Sequence, residues 1–335
     1  MRLLRSLRRL VLLLIILAIG LLYDGYQQLS APLRVVDWQT VEITPGDTLG
    51  VVIAKFEARH WLPSARAAIY LKLYVRWQGL GGRIRSGEYG IDPGQNLLGA
   101  LKLFMSGSTI VHELRIVEGW TFAQALQAIR ANAMIRQTLA DATTAQIMTA
   151  IGQPGVDAEG RFFPDTYRFP KDTSDLTLLK QAFAGMQKAL DEEWAQRAPE
   201  LPYASPDEAL TMASIIEKET GAAAERAQIA GVFVRRLRLG MRLQTDPTVI
   251  YGLGSAFDGN LRLVDLRADG PYNTYTRAGL PPTPISLPGR ASLHAALHPD
   301  DGKALFFVSK GDGTHVFSET LEQHEAAVRR YQLKK

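Results

Sequence analysis

The sequence predicts an α+β protein with a single N-terminal transmembrane helix, a small α+β domain near the membrane and a larger, mainly helical domain. Three observations predict this class. An apolar run follows an arginine-rich start, short strand-like and helical patterns alternate up to about Arg115, and long helical patterns dominate afterwards. The 335 residues are enough for two or three domains.

The first nine residues hold four arginines and no acid, and residues 10–23 form an uninterrupted apolar run. This pattern is typical of a membrane-directing segment whose positive end stays in the cytoplasm. Fourteen helical residues span only about 21 Å, which suits a signal-peptide core equally well. Because no small-x-small cleavage site follows Tyr23, we expect a cytoplasmic tail at residues 1–9 and a retained anchor at residues 10–26.

The four arginines in the first nine residues account for the whole positive net charge of the chain. The chain has 38 Lys+Arg and 34 Asp+Glu, so removing those four arginines leaves 34 of each sign. The remainder is neutral, and we expect no nucleic-acid partner. The chain has no cysteine, which excludes a disulfide framework and thiolate chemistry. With one anchor and a long C-terminal part, that part is expected outside the cytoplasm.

Residues 33–115 predict the small α+β domain. A strand, a turn containing glycine and an amphipathic helix recur at 35–56, 87–107 and 113–129. The first copy resembles, over about fifteen residues, the opening of a LysM module, a small carbohydrate-binding unit of cell-wall proteins. An ordinary α+β spacer remains the alternative, because repeats this short are weak evidence.

Residues 116–335 predict the larger domain. One loop in it holds four aromatic residues, namely Phe162, Phe163, Tyr167 and Phe169. They are compatible with a local core and with a platform for stacking sugars.

A helix is predicted to begin after Ser205. Glu208 three residues later indicates a capping box, and Pro206 suits the first helical position. Gly221 predicts the helix end.

The buried face of this helix ends in an acid. Its apolar positions follow the helical repeat at Ala209, Met212, Ala213 and Ile216. The same repeat leads to Glu219. Desolvation and the negative helix end both disfavour its charged form and raise its pKa, as protonation of a leaving group requires. The alternative is a solvated ion pair with Arg226 or Arg235.

A second helix is predicted to end at Gly240, with the three arginines near its end on a solvated face. Residues 241–254 are predicted to be extended or turn-rich. Five prolines between positions 271 and 288 predict a fixed, irregular loop.

The last part of the chain predicts a helix at 292–297, a strand at 304–310 and a short strand. A capped turn at Ser318 is then expected to lead into a final amphipathic helix.

Several chemistries have no motif in the sequence. His294 and His298 are four apart, but Pro299 follows and no HExxH pattern is present, so we expect no metal site. A GxSxG elbow, a phosphate loop and a dinucleotide motif are also missing from the sequence. We therefore expect no cofactor.

The sequence after Glu219 contains side chains of the kinds that hydrogen-bond to sugars or stack on them. They are Gln244, Thr245, Asp246, Tyr251, Tyr272, Asn273, Thr274 and Tyr275. Together with a protonatable Glu219, this set favours cleavage of a glycosidic bond.

Five longer motifs in the sequence resemble those of a known protein family. They are SIIEKET at 214–220, RLRLGMRLQTDPTVIYGLG at 236–254, YNTY at 272–275, GLPP at 279–282 and LPGRASL at 287–293. With them the chain resembles the endolytic murein transglycosylase (MltG or YceG-like) family over nearly its whole length. The resemblance implies a lysozyme/transglycosylase-like catalytic domain and a catalytic glutamate at the second acid of EKET, which is Glu219.

The resemblance implies cleavage of nascent peptidoglycan between MurNAc and GlcNAc, leaving 1,6-anhydro-MurNAc ends and terminating glycan elongation. It places a single-pass protein in the inner membrane with its catalytic part in the periplasm and peptidoglycan synthases as partners. The candidates for positioning the sugar or orienting Glu219 are Gln244, Asp246, Tyr251, Asn273 and Tyr275. A structural role in the loop is an equal alternative for each.

Two other functions stay open. One is a non-catalytic, membrane-tethered protein that binds the wall through its LysM-like part. The other is a hydrolase of the lysozyme type, in which Glu217 or Asp246 activates water.

Overall fold

A computed structural model describes residues 2–333 of the chain. Met1 of the predicted tail, and Lys334 and Lys335 at the end of the predicted larger domain, lie outside the described residues. The chain divides into two compact units. The first comprises the chain up to His112 together with Phe169–Lys171, and the second comprises Glu113–Arg168 together with the chain from Asp172 onward.

The first unit is built from four helices and an antiparallel strand pair. In chain order its elements are α1 (Arg2–Ser30), β1 (Gln39–Ile43), α2 (Leu49–Ala58), α3 (Ala65–Trp77), β2 (Gly87–Ile91) and α4 (Leu97–Ser106). Strand β1 pairs with β2, with Val41 opposite Tyr89. Both of these side chains are buried in one hydrophobic core, to which the inner faces of the helices also contribute.

Helix α1 is the one helix in the described residues that is long and apolar enough to cross a membrane. Within Leu4–Ser30, an 18-residue window has a mean hydropathy of 2.1, and none of that window is buried by protein. The helix extends four residues past the predicted anchor at 10–26, and Leu29 in its last turn is buried in the core of the first unit.

The second unit begins with short strands and three helices. Its elements up to residue 195 are β3 (Val111–Arg115), α5 (Phe122–Ala131), β4 (Ile135–Arg136), α6 (Thr144–Ile151), β5 (Thr166–Pro170), β6 (Thr173–Ser174) and α7 (Asp175–Ala195). Strands β3 and β5 pair. Strands β4 and β6 pair in parallel. Of the four clustered aromatic side chains, Phe162, Tyr167 and Phe169 are buried, as the local-core interpretation expects.

The rest of the second unit surrounds one central helix. Its elements are α8 (Pro206–Glu219), α9 (Arg226–Arg238), α10 (Asp246–Leu253), α11 (Leu263–Arg267), α12 (Arg290–Leu297), β7 (Phe306–Ser309), β8 (His315–Ser318) and α13 (Leu321–Tyr331). Helix α8 packs against α7, α9, α10 and α12, and its residues from Ala209 to Ile216 are all buried. This packing fixes the position of its last residue, Glu219.

The beginning of α8 agrees with the predicted cap. The Ser205 hydroxyl accepts a hydrogen bond from the Glu208 N–H at 3.4 Å, and Pro206 is in the first turn. In a full capping box the Glu208 side chain would accept a hydrogen bond from the Ser205 N–H. Here Glu208 Oε2 accepts instead from the N–H of Ala204, one residue earlier, at 2.6 Å. The end of the helix agrees with the predicted stop at Gly221, since the last helical residue is Glu219 and the C-cap is Thr220, whose backbone is extended.

Three local predictions were wrong. Residues 246–253 form helix α10, because a proline is well tolerated in a first helical turn, where its missing N–H costs nothing. The arginine run near the end of α9 is solvated only in part, since Arg238 is exposed but Arg236 is 7% exposed. The cap of the last helix is Thr320, whose hydroxyl accepts from the N–H of Gln323, and Ser318 ends the preceding strand.

Candidate active site

The carboxyl group of Glu219 lies at the C-terminal end of α8 and lines a pocket of 510 Å³ within the second unit. This volume is in the range of small-ligand sites. The loop before α10 and the strands β7 and β8 supply most of the remaining wall. Neither Arg226 nor Arg235 forms an ion pair with Glu219, so the simple pairing at a helix corner is wrong for the described residues.

Thr245 holds the Glu219 carboxylate in place. Its hydroxyl donates a hydrogen bond to Glu219 Oε1, and its own backbone N–H is held by Thr274 Oγ1 at 3.1 Å. Thr248 Oγ1 lies 2.8 Å from both Thr274 Oγ1 and the carbonyl oxygen of Thr245. This buried threonine network fixes the donor that faces the acid.

The pKa of Glu219 is raised to about 7. Burial is the largest cause, because it disfavours the charged carboxylate. The hydrogen bond from Thr245 opposes this effect, the nearby charge of Asp246 adds to it, and the positive charges of His315 and Arg236 oppose it. The result is a carboxyl group that can give up and regain a proton near neutral pH.

Arg236 of α9 supplies a buried positive charge to the same pocket. Its guanidinium donates to three backbone carbonyl oxygens, those of Leu305 at 2.7 Å, Leu243 at 2.8 Å and Arg242 at 3.3 Å. It also lies over the Phe306 ring, 5.1 Å from the centroid. Arg236 therefore fixes the loop before α10 to the chain before β7, across the floor of the site.

His315 and His324 add two ring systems to the pocket. His315 Nδ1 lies 2.8 Å from Glu225 Oε2, and the His315 backbone N–H donates to Glu225 Oε1 at 3.0 Å. His324 stacks on Phe306, with 5.2 Å between ring centroids. Its Nδ1 is buried and makes no hydrogen bond within residues 2–333.

Three of the five predicted substrate-binding residues line the pocket: Gln244, Asp246 and Tyr275. The Tyr275 hydroxyl donates to Asp246 Oδ1 at 2.6 Å. Gln244 has a φ of 51°, which non-glycine residues seldom adopt, and its N–H donates to the carbonyl oxygen of Thr274 at 3.1 Å. The strained backbone leaves the Gln244 side chain exposed at the pocket rim.

The other two predicted residues face elsewhere. The Asn273 side-chain amide donates to the carbonyl oxygens of Asp265, Leu266 and Ala268, so it caps the end of α11. The Tyr251 hydroxyl donates to Glu159 at 3.2 Å. Neither residue lines the pocket. Their contacts correspond to the structural alternative that the sequence left open.

Glu159 is a second acid with unusual titration, and sequence reasoning missed it. It is 6% exposed, and burial raises its pKa to about 7, although the Phe122 N–H and the Tyr251 hydroxyl both donate to its carboxylate. Glu159 does not line the pocket that contains Glu219. A raised pKa alone therefore does not distinguish the two acids, and position in the pocket does.

Glu217, the first acid of the EKET motif, has a local structural contact. Its Oε2 accepts a hydrogen bond from the Gly289 N–H at 2.9 Å, at the beginning of α12. A carboxylate at that position satisfies a free backbone donor and suits the positive helix end. It is not part of the pocket wall.

His294 and His298 do meet an acid in the structure. Their ligand atoms and that of Glu193 lie within 4.8 Å of one another, although none of the three lines the pocket. His294 Nδ1 is 2.9 Å from Glu193 Oε2, and His298 Nε2 is 2.8 Å from the carbonyl oxygen of Gln196. These side chains already have protein partners.

Comparisons with known proteins extend these observations. A family model described as the YceG-like family matches residues 41–330. A Bacillus subtilis (strain 168) protein named endolytic murein transglycosylase is 31% identical over 308 residues, which cover 87% of this chain and 84% of that protein. A Streptococcus pneumoniae (strain D39 / NCTC 7466) protein of the same name is 26% identical over 346 residues. The matched region covers 91% of this chain and 61% of that longer protein.

A crystal structure is also similar. It is that of a yceG-like protein from Listeria monocytogenes, with a TM-score of 0.52 and 30% sequence identity, covering 87% of this chain and 99% of that one.

Proposed function

The chain belongs to the YceG-like family, and on that premise we propose that Glu219 is the general acid and general base of its reaction. The relatives named endolytic murein transglycosylase make this chain an enzyme of that type, a lyase that acts on peptidoglycan. This favours an enzyme over a non-catalytic wall-binding protein. The observation that carries the proposal is the Glu219 carboxyl group, with a pKa of about 7, in the wall of a 510 Å³ pocket.

In the first step, protonated Glu219 donates its proton to the oxygen that joins C1 of MurNAc to GlcNAc. The bond between C1 and that oxygen breaks, and its electron pair leaves with the oxygen. Positive charge develops on the MurNAc ring. The proton transfer leaves a carboxylate, which the Thr245 hydroxyl and the charge of Arg236 stabilise.

In the second step, the Glu219 carboxylate takes the proton of the C6 hydroxyl of the same MurNAc. The C6 oxygen bonds to C1 and closes a 1,6-anhydro ring. No water is consumed, and the acid ends the turnover protonated as it began. Because the nucleophile belongs to the substrate, its high effective concentration removes the need for a second carboxylate.

The pocket offers groups that suit a glycan. Gln244 and Asp246 present an amide and a carboxylate at exposed positions, and Tyr275 braces Asp246 through its hydroxyl. Phe306 contributes an aromatic ring, on which the His324 ring stacks. We assign sugar binding to these residues. Tyr251 and Asn273 are assigned to positioning α10 and the loop after α11.

The location follows from the helix α1. We place it across the inner membrane with its arginine-rich end in the cytoplasm, so that the enzyme works in the periplasm on nascent strands and ends their elongation. The small module around the β1–β2 pair, with two helices between the strands, supports a separate LysM-like domain at residues 33–115, followed in sequence by the lysozyme/transglycosylase-like domain at 116–335. Peptidoglycan synthases are the partners this location favours.

Mass spectrometry of the products tests the reaction type. With purified full-length enzyme and uncrosslinked glycan strands, every MurNAc end that cleavage creates is expected to be 1,6-anhydro-MurNAc. A lysozyme-type hydrolase gives reducing ends, which are heavier by one water. That second candidate is worth testing because Asp246 shares the pocket with Glu219, whereas Glu217 does not. Reducing ends would overturn the transglycosylase scheme, and their loss in Asp246→Asn would then identify the base.

The pH dependence of the rate is expected to have one falling limb set by Glu219. Since only the protonated acid starts the reaction, kcat/KM should be level below the pKa of about 7 and fall about tenfold per pH unit above it. The base needs no separate ionisation, because the carboxylate arises within the turnover. Initial rates across this range measure the limb. A rate that rises from pH 6 to pH 9 would contradict the assignment.

The substitution Thr245→Val is expected to move this limb to higher pH. The Thr245 hydroxyl donates to the Glu219 carboxylate and lowers its pKa, so its loss raises that pKa. Thr245→Ser keeps the hydroxyl and is the matched control, with an unshifted limb. An unshifted limb in Thr245→Val would show that the bond does not control the acid.

A further inference from the structure

Helix α3 carries an exposed apolar stripe. Ile69, Leu73 and Trp77 are spaced by four residues, and their exposed fractions are 59%, 58% and 79%. The opposite side of the helix is buried in the first unit through Ala67, Leu71 and Val75. An exposed stripe of this size on a helix whose other side already has its core marks a contact surface.

The stripe runs beside α1. The Ser64 hydroxyl, just before α3, donates to Gln28 at 2.5 Å, and one helical turn earlier in α1 Asp24 accepts from the Tyr70 hydroxyl at 2.8 Å. Gly25 lies directly beneath the Tyr70 ring, since a Cβ there would be 2.9 Å from Tyr70 Cδ1. The two helices are therefore closely packed and run in opposite directions.

The end of α3 reaches the apolar run of α1. Leu21, Leu22 and Tyr26 line one groove of 660 Å³ together with Leu73 and Trp77. The one charged residue of that groove, Arg66, forms an ion pair with Asp24 at 3.0 Å. Lys72 and Arg76 lie on the exposed flank of α3, next to the stripe. An apolar stripe with tryptophan and tyrosine at its edge and basic residues beside it is typical of a helix in a membrane interface.

We propose that α3 is embedded in the outer leaflet beside α1, with Ile69, Leu73 and Trp77 in contact with lipid acyl chains. The occupant of the groove is bilayer lipid, because the stripe continues the apolar surface of α1 at the level of Leu21 and Leu22. This inference rests on the proposed membrane anchor. It gives the first unit a second attachment to the bilayer, which restrains its rotation about α1.

Site-directed spin labelling tests the inference in the full chain. The sequence has no cysteine, so each single-cysteine variant takes one nitroxide label. Leu73→Cys probes the stripe, Lys72→Cys is the neighbouring control on the same helix, and Leu17→Cys probes the anchor. The variants are reconstituted in vesicles of phosphatidylethanolamine and phosphatidylglycerol. Power saturation compares collisions with oxygen, which concentrates in lipid, and with a water-soluble nickel chelate.

The labels at positions 73 and 17 are expected to collide several-fold more with oxygen than with nickel, and the label at 72 the reverse. Nickel access at 73 equal to that at 72, with 17 still in lipid, would overturn this inference and leave the anchor intact. Nickel access at 17 would overturn the anchor and the inference together. A label at 73 shielded from both reagents would overturn the lipid contact and show that a protein, such as a partner's transmembrane helix, covers the stripe.

Discussion

The substitution Glu219→Gln is expected to lower the rate of glycan cleavage by about 10³-fold, since a general acid and base contributes about 10² to 10⁴. The amide has nearly the same shape as the acid, and its oxygen still accepts the Thr245 hydroxyl. It cannot donate a proton to the leaving oxygen or remove one from the C6 hydroxyl. Both steps therefore lose their proton carrier while the pocket keeps its form.

The same variant should be more stable than the wild type above pH 7. The pKa of Glu219 is about 7 in the folded chain and near 4.5 when unfolded, so between these values the unfolded state ionises first and stability falls as the pH rises. The full effect is at most about 3 kcal/mol. An uncharged amide at this position would carry no such cost. Loss of activity together with a gain in stability in Glu219→Gln is the result expected when a buried acid is kept for function at the expense of stability.

Glu217→Gln is the matched control, two residues away on the same helix. The Glu217 carboxylate accepts from the Gly289 N–H, and an amide oxygen can do the same. We expect activity within a few-fold of the wild type in single-turnover assays. Comparable loss of activity in both variants, or none in Glu219→Gln, would contradict the assignment.

The substitution Arg236→Met is expected to lower the free energy of unfolding by about 3 kcal/mol. It leaves three backbone carbonyl oxygens without their buried donor, and a buried acceptor without a partner costs about 1–3 kcal/mol. Loss of the positive charge should also raise the pKa of Glu219 further, because Arg236 lowers it. Urea denaturation, fitted with separate transitions for the two units, gives the stability.

Arg238→Met provides the comparison for Arg236. Arg238 is exposed on the same helix and donates to a single carbonyl oxygen, that of Glu200. Its loss should cost less than about 1 kcal/mol. Equal costs for the two variants would show that the buried guanidinium contacts do not stabilise the second unit.

The sequence predicted those parts of the site that depend on neighbouring residues. Helix α8 follows from a cap at Ser205 and an apolar repeat, and this repeat also led to Glu219. The caps and repeats act over three or four residues, so a local pattern contains them.

Parts that depend on distant residues were not predictable in this way. Arg236 is buried because the carbonyl oxygen of Leu305, 69 positions later, accepts from it. Glu159 is held by Tyr251, 92 positions away. Its only local signal is an acid directly before an aromatic loop. Helix α10 was missed because its short apolar pattern and its proline suit a turn equally well, and packing against α8 decides the outcome.

The central claim is that Glu219 keeps its proton near neutral pH. An infrared titration of the protonated carboxyl band tests it most directly, with the spectra of Glu219→Gln subtracted from those of the wild type. The subtraction is needed because Glu159 also has a raised pKa of about 7. The difference spectrum should show one carboxyl group with a midpoint near 7. A midpoint near 4.5, the ordinary glutamate value, would mean that Glu219 is already ionised at neutral pH and cannot be the proton donor.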